Sequence, residues 1–216
     1  MGIFHFPSHF VYWENVENHR EIKRIFLNEI KNLRLKYKVN KSGIVNGSTS
    51  YNPGDFDLTI VNFFKNNKLI SDKIVWGPIN NAIKKINIQR SQNPVNIADS
   101  IISTAWYTEY DKGGSFEYHS HLNYSVYKDN KIYTPSFSII YILNDENKHN
   151  ATTFMNPTSM YVSTEELHEY KFKTDNINEI KEGTVLIFPS SLYHCVQNVK
   201  IQGRITIAIN IYSSHS

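Results

Sequence analysis

Residues 96–216 constrain the fold more than any other part of the sequence, because short β-rich runs alternate there with turn signals. Valine, isoleucine, threonine and aromatic residues fill the runs, as is typical of pleated strands. The predicted strands cover residues 101–110, 116–121, 136–143, 152–155, 170–174, 184–189, 194–198 and 205–212. The stretch Asp111-Lys112-Gly113-Gly114 predicts a turn between the first two. Eight strands without helical patterns between them favour a sandwich or barrel, and they suffice for a double-stranded β-helix, a jelly roll of two antiparallel sheets.

The first 95 residues have a different texture, which predicts helices. Apolar residues recur at helical spacing within residues 17–38 and indicate one amphipathic helix. A second helix is predicted over residues 77–88, with Pro78 in its first turn. Residues 39–54 are rich in glycine, serine and asparagine, and predict a loop.

Together these patterns predict one domain over residues 1–216, mainly β with N-terminal helices. A helical or mixed layer, residues 1–95, would brace a double-stranded β-helix core, residues 96–216. The helical part, residues 17–90, is also the surface where a homodimer would form.

Charge and composition weigh against several classes of function. The 23 Lys and Arg residues against 20 Asp and Glu give a net charge of +3, which does not require a nucleic-acid partner. Eight basic residues lie between Arg20 and Lys41 against two acidic ones. No run of aromatic residues interleaves with them, so a solvated helix face is favoured over a phosphate-binding surface. No run approaches the ~20 apolar residues of a membrane-spanning helix.

The single cysteine, Cys195, cannot form a disulfide framework within the chain, which favours a reducing compartment. Residues 1–5 lack the basic region and the long apolar region of a signal peptide. We therefore expect a cytoplasmic protein.

Three histidines are placed as ligands of one metal ion would be. His119 and His121 are two residues apart in a predicted strand, so both side chains leave the same face of the sheet. His194 follows a strand near the opposite end of the β region. Neutral imidazole is the commonest metal ligand in proteins, and the order of these residues favours a metal site over a chance pair of polar side chains on a solvated strand.

Residues 101–212 resemble the core of the non-haem Fe(II), 2-oxoglutarate-dependent oxygenases. The resemblance is strongest to the bacterial and phage "putative 2OG-Fe(II) oxygenase" group, near the prolyl-hydroxylase-like branch. The stretches that carry it are residues 118–123 (YHSHLN), 138–143 (SIIYIL), 151–154 (ATTF), 183–194 and 204–206 (RIT). If a phage encodes the chain, the host cytoplasm is its expected location.

The resemblance implies an Fe(II)- and 2-oxoglutarate-dependent dioxygenase. Its substrate would be a peptidyl side chain, with a prolyl residue as the first candidate, or a small molecule. The enzyme would consume dioxygen and release succinate and CO2. His119, His121 and His194 would hold Fe(II). A buried distal carboxylate of 2-oxoglutarate suits the planar guanidinium of Arg204, with Thr206 and Tyr141 as further contacts. Loops at 123–135 and 144–150 would set the substrate.

The sequence departs from the family in one ligand. The usual motif is His-x-Asp or His-x-Glu, whereas His121 stands in the acidic place after His119. Counting from His121 instead places Asn123 there, and Glu117 is a reserve carboxylate. The sequence leaves open which of the three completes the site.

Two other readings compete with the oxygenase. The spacing of Gly183, Pro189, His194 and Asn198 resembles a cupin motif, which would imply a metal-dependent enzyme or binding module without 2-oxoglutarate. Cupin ligand sets often contain a Glu shortly after His-x-His, and residues 122–144 contain none. The second rival is a structural jelly roll with incidental histidines, which would bind no metal.

Overall fold

The computed structural model describes residues 2–6, 9–36, 43–51, 58–89, 97, 99–122, 124–145, 152–156, 171–200 and 202–214. Its helices are α1 (His19–Lys36), α2 (Leu58–Asn66), α3 (Lys68–Ser71) and α4 (Gly77–Gln89), with a π-helical turn at Asp72–Trp76 and a short 3-10 turn at Thr174–Asn176. Its strands are β1 (Gly2–Phe6), β2 (His9–Asn15), β3 (Ile44–Thr49), β4 (Ser100–His119), β5 (Val126–Lys128), β6 (Lys131–Asn144), β7 (Thr152–Met155), β8 (Lys171–Lys173), β9 (Thr184–Pro189), β10 (His194–Val196) and β11 (Arg204–Ser214).

The strands form one curled antiparallel sheet with the order β1-β2-β9-β6-β11-β4-β10-β7-β8, while β3 pairs with β4 and β5 with β6. The first half of β4 pairs with β11 and its end pairs with β10, so this strand carries the sheet from one wall of the roll to the other. The predicted jelly-roll architecture is therefore confirmed. Among the described residues, no helix is both long and apolar enough to span a membrane.

The predicted helices are confirmed as α1 and α4. The predicted apolar stripe of α1 packs on the sheet through Ile22, Phe26, Ile30 and Leu33. Two of its basic residues pair with acidic side chains of the β region, Lys23 with Glu182 and Arg34 with Glu109. Part of the basic cluster therefore fastens the helix to the sheet.

Within the N-terminal 95 residues, the part that the structure describes also contains strands β1, β2 and β3, and this corrects the loop predicted over residues 39–54. Strand β3 lies inside that range and pairs with β4. A Cβ on Gly47 would lie 2.5 Å from the Glu109 carbonyl oxygen, so the close approach of the two strands requires glycine here. Gly47, which contributed to the loop prediction, is therefore required for the pairing of β3 with β4.

The turn predicted at Asp111–Gly114 is wrong, because β4 runs without interruption from Ser100 to His119. Gly113 has φ +78° and its N–H donates to the Val199 carbonyl at 2.7 Å. The glycines mark a bend at which β4 leaves β11 and joins β10. The loop predicted at 123–135 is also corrected in part, since β5 and β6 form a hairpin whose turn residues, Asp129 and Asn130, both have positive φ.

Side chains alternate across the sheet and separate two apolar layers. Along β6, Ile139 and Tyr141 pack towards the helices, whereas Ile140 and Ile142 point into the roll. Strand β11 follows the same alternation: Ile207 faces the helices, and Arg204, Thr206 and Ala208 line a cavity inside the roll. This alternation decides which side chains can meet in a site.

Candidate active site

The structure brings together the three histidines that the sequence singles out. His119 ends β4 and lies directly opposite His194, the first residue of β10, while His121 follows two residues after the strand. The ring centroids are 4.4 Å apart for His119 and His194, 4.8 Å for His121 and His194, and 5.1 Å for His119 and His121. One ring nitrogen from each lies within 4.8 Å of the others. This group could hold a metal ion.

Backbone carbonyls determine which ring nitrogen carries the proton in two of the histidines. Nδ1 of His119 lies 2.7 Å from the Glu117 carbonyl oxygen, and Nδ1 of His194 lies 3.0 Å from that of Leu192. A carbonyl oxygen only accepts hydrogen bonds, so Nδ1 is the donor in both rings. The lone pair is therefore on Nε2. This is the arrangement of a metal-binding histidine whose other ring nitrogen donates a hydrogen bond that fixes the ring.

A buried chain of side chains sets the same tautomer in His121. The Asn210 amide donates to Thr104 Oγ1 at 2.9 Å, and its Oδ1 accepts the Ser138 hydroxyl proton at 3.0 Å. Ser138 Oγ can then only accept from Nδ1 of His121, at 2.8 Å. Nε2 of His121 is buried and has no hydrogen-bond partner among the described residues. A buried acceptor of this kind fits a cation.

The three imidazoles are held neutral. Burial lowers the pKa of His121 to about 3, with a further contribution from His119. Burial likewise lowers the pKa of His194 well below its usual value, and lowers that of His119. Neutral rings keep their lone pairs available at pH 7, which is the protonation state that metal binding requires.

Arg204 lines the same cavity as the histidines. The cavity walls are formed by residues of β4, β6, β7, β10 and β11 together with His121: Trp106, Thr108, Tyr110, Phe116, His119, His121, Ile140, Thr152, His194, Val196, Arg204, Thr206 and Ala208. The Arg204 side chain is fully buried, and its Nη1 has no hydrogen-bond partner among the described residues. Its Nε donates to Asp145 Oδ2 and its Nη2 to Thr152 Oγ1, each at 3.4 Å. A buried donor on a cation fits an anionic ligand.

Tyr110 and Thr206 add hydroxyl groups at this end of the cavity. The guanidinium carbon of Arg204 lies 5.3 Å from the centroid of the Tyr110 ring. Burial raises the pKa of Tyr110 to about 12, although Arg204 and hydrogen bonds with Thr206 and Thr108 lower it. The phenol therefore keeps its proton at pH 7.

Tyr141 does not take the place predicted for it. Its side chain lies on the helix-facing side of β6, where its hydroxyl lies 2.6 Å from Nδ1 of His19 and its ring packs on Phe26. Tyr141 is paired with Ile207, which also faces the helices, whereas Arg204 and Thr206 point into the roll. The alternation of β6 excludes Tyr141 from the carboxylate end of the cavity.

Glu117 does not join the histidines either. Between the two pairings of β10 with β4, His194 to Val196 spans three residues while Phe116 to His119 spans four. This bulge turns Phe116 to the inner face beside His119, with ring centroids 4.4 Å apart, and leaves Glu117 exposed. The third candidate for the acidic place, Asn123, lies outside the described residues.

Several residues of the site were not predicted from the sequence. Ser138 and Asn210 are polar residues with apolar neighbours on both sides in β6 and β11, a signal that could have found them. Tyr110 shares its strand face with Thr108 and Trp106. Asp145 follows the end of β6 and has no local signal, because its partner Arg204 is far away in the chain.

Comparison with known proteins agrees with this geometry. The family model described as "Putative 2OG-Fe(II) oxygenase" matches residues 104–210, about half of the chain. HygX from Streptomyces hygroscopicus, solved with nickel and 2-oxoglutarate bound, is 12% identical and has a TM-score of 0.52 over 95% of this chain and 82% of that one. A prolyl hydroxylase from Trichoplax adhaerens, in complex with a hypoxia inducible factor peptide fragment, is 12% identical with a TM-score of 0.51 over 94% and 83%. At this identity the likeness concerns the fold.

No curated protein matches the sequence. The family model spans β4 to β11 and thus contains all three histidines and Arg204. The cupin alternative has no such support. The chain belongs to the Fe(II)- and 2-oxoglutarate-dependent oxygenases.

Proposed function

We propose that this oxygenase holds Fe(II) through His119, His121 and His194 and anchors the distal carboxylate of 2-oxoglutarate on Arg204 and Thr206. One observation carries the proposal. A cavity inside the roll has three imidazole lone pairs at the end where His119 pairs with His194. At the end where Tyr110 pairs with Arg204, it has a guanidinium nitrogen without a hydrogen-bond partner among the described residues. A metal chelated by a dicarboxylic 2-oxo acid has this distribution of charge.

Each group of residues in the cavity has its own proposed role. Bound iron, with 2-oxoglutarate and dioxygen, supplies the oxidation of the substrate and the release of succinate and CO2. The imidazoles stay neutral and are oriented by the oxygen acceptors behind them. Arg204 fixes the far end of the cosubstrate, which sets its orientation towards the histidines. Trp106, Phe116 and Ile140 give the cavity apolar walls.

For the substrate we propose a peptidyl side chain, with proline first and a small molecule as the alternative. Leu122 and Tyr124 follow His121 in the chain, and Tyr124 is 92% exposed. Tyr127, on the adjoining hairpin, is 70% exposed. Exposed apolar and aromatic side chains beside a buried centre suit an extended peptide crossing the mouth. The relatives include one solved with a peptide fragment and one solved with hygromycin B, which represent the two classes.

We further infer a cytoplasmic setting, in the host if a phage encodes the chain, with dioxygen as co-reactant. The one cysteine, Cys195, is free and buried, in agreement with a reducing compartment. A homodimer through the helical layer is also proposed, since Leu35 of α1 is 82% exposed.

Conversion of 2-oxoglutarate to succinate tests the activity. With Fe(II) under air the wild type should form succinate, and His194→Ala should form none. Mass spectrometry should show that proline-containing peptides have gained the mass of one oxygen atom after the reaction. Tyr124→Ser should lower peptide oxidation but not the slow succinate formation without peptide. Val45→Ser, at an exposed position of β3 that does not line the cavity, should change neither. Equal succinate formation by His194→Ala would contradict the proposed site.

A further inference from the structure

We propose that Asp145 is a built-in counter-anion of the cosubstrate subsite, which competes with the distal carboxylate of the 2-oxo acid for the charge of Arg204. It thereby limits the affinity for dicarboxylates. The inference rests on the proposed role of Arg204 and concerns a residue that is not itself among those lining the cavity.

The contact between the two residues is fully buried. Asp145 Oδ2 accepts from Nε of Arg204 at 3.4 Å, and neither side chain is exposed to solvent. Thr152 takes a bond from Nη2, and Nη1 has no hydrogen-bond partner among the described residues. Arg204 lines the cavity and Asp145 does not. Asp145 therefore lies behind the guanidinium and leaves its other edge to a ligand.

The backbone at Asp145 is fixed from two sides. Its N–H donates to Glu182 Oε2 at 2.8 Å, and Oε1 of Glu182 accepts from Lys23 of α1 at 2.8 Å. The preceding residue, Asn144, donates from Nδ2 to the Gly203 carbonyl at 2.6 Å, next to Arg204 in the chain. These bonds oppose a movement of Asp145 away from Arg204 when a second anion arrives.

The charges then determine the sign of the effect. A buried guanidinium without a counter-charge is strongly destabilising, and Asp145 compensates it before any ligand binds. A carboxylate entering the cavity meets a guanidinium that Asp145 already partly compensates, and Asp145 repels it across the shared cation. Neutralising Asp145 should therefore destabilise the ligand-free protein and strengthen dicarboxylate binding. An asparagine keeps an oxygen that accepts from Nε, so the orientation of Arg204 is preserved.

Calorimetric titration of Mn(II)-loaded protein tests the proposal. Asp145→Asn should bind 2-oxoglutarate about tenfold more tightly than wild type, or more. It should bind 2-oxopentanoate, which lacks the distal carboxylate, with unchanged affinity. Glutarate, which lacks the 2-oxo group, should gain affinity in the metal-free protein as well. The ligand-free Tm should fall, and the rise in Tm on adding 2-oxoglutarate should be larger than in wild type. Asp175→Asn, an exposed site, is the matched charge control and should change none of these values.

The outcomes separate this proposal from the function on which it rests. Unchanged or weaker 2-oxoglutarate binding by Asp145→Asn, or equal gains for 2-oxopentanoate, would overturn the role of Asp145. Undiminished 2-oxoglutarate binding by Arg204→Lys would instead overturn the role of Arg204. If Asp145→Asn is recovered unfolded, refolding is compared with glutarate and with 2-oxopentanoate. Rescue by glutarate alone supports the proposal, and rescue by neither or by both overturns it.

Discussion

The two ends of the cavity solve opposite electrostatic problems. At the histidine end, burial lowers the pKa values and the rings remain neutral, with Nε2 of His121 as a buried acceptor. At the arginine end a full charge is buried, compensated by Asp145, with Nη1 of Arg204 as a buried donor. One end therefore suits a cation and the other an anion. The proposed site thus combines a neutral end with a charged end that keeps its own counter-ion, an arrangement that suits a ligand with separated charges.

Removing a ring from the neutral end should have the largest effect. His194→Ala deletes one of three lone pairs and should abolish stoichiometric Fe(II) binding, measured by anaerobic titration and metal analysis. His9→Ala, on a histidine that does not line the cavity, should bind iron as wild type does. Full iron occupancy in His194→Ala would show that His194 is not an iron ligand.

The charged end is tested by Arg204→Lys. This change keeps the charge but loses the planar fork, so 2-oxoglutarate affinity should fall about ten- to a hundredfold, as expected for charge-assisted hydrogen bonds of ~1.5–3 kcal/mol. Iron binding without the cosubstrate should be unchanged. Arg34→Lys, on α1, is the control and should retain wild-type 2-oxoglutarate affinity. Unchanged affinity in Arg204→Lys would place the carboxylate elsewhere.

The support behind the histidines is tested by Ser138→Ala. Without the serine acceptor, His121 loses the bond that orients its ring and sets its tautomer, so metal affinity should fall about tenfold or more. Competitive titration with a chelator measures the change. Ser100→Ala removes a serine pair at the far end of the sheet and should leave metal affinity intact. Equal affinities in the two variants would mean that the ring is held by packing alone.

Proton uptake gives a further contrast in the metal-free protein. Unfolding restores the usual histidine pKa of about 6.5, while His121 in the fold has a pKa of about 3. Between these values the unfolded state binds more protons, so the free energy of unfolding should decrease as pH falls from about 6.5 towards 3. Urea titrations across this range measure the slope. His121→Asn should flatten it, and an unchanged slope would show that His121 does not contribute.

The smallest effect is expected on the outer face of the sheet. Tyr141→Phe removes the contact of the hydroxyl with His19 and should lower the free energy of unfolding by about 1 kcal/mol. Affinity for 2-oxoglutarate should not change, because the hydroxyl faces the helices. A loss of affinity as large as in Arg204→Lys would restore Tyr141 to the cosubstrate site.

Local patterns predicted what depends on local geometry. Strands β7 and β9 were predicted with their observed bounds, because short β-rich runs ended at turn signals there. The grouping of the histidines followed from a two-residue spacing and from the family motif. The face of Tyr141 depended on the register between β6 and β11, and the exposure of Glu117 on a bulge, neither of which is encoded near those residues. Asp145 required knowledge of which strand ends meet.

Because β4 is one continuous strand, it fixes the distance between the two ends of the cavity. His119 is nine positions after Tyr110, and a straight strand would place them about 30 Å apart at ~3.3 Å per residue. Both nevertheless line one cavity, because the strand bends at Gly113 and Gly114 between them. The distance between the two ends of the cavity therefore depends on the number of residues on either side of the bend. Inserting or deleting one residue on either side of the bend would turn the side chains beyond it to the opposite face, and the histidines and Arg204 would then no longer line one cavity.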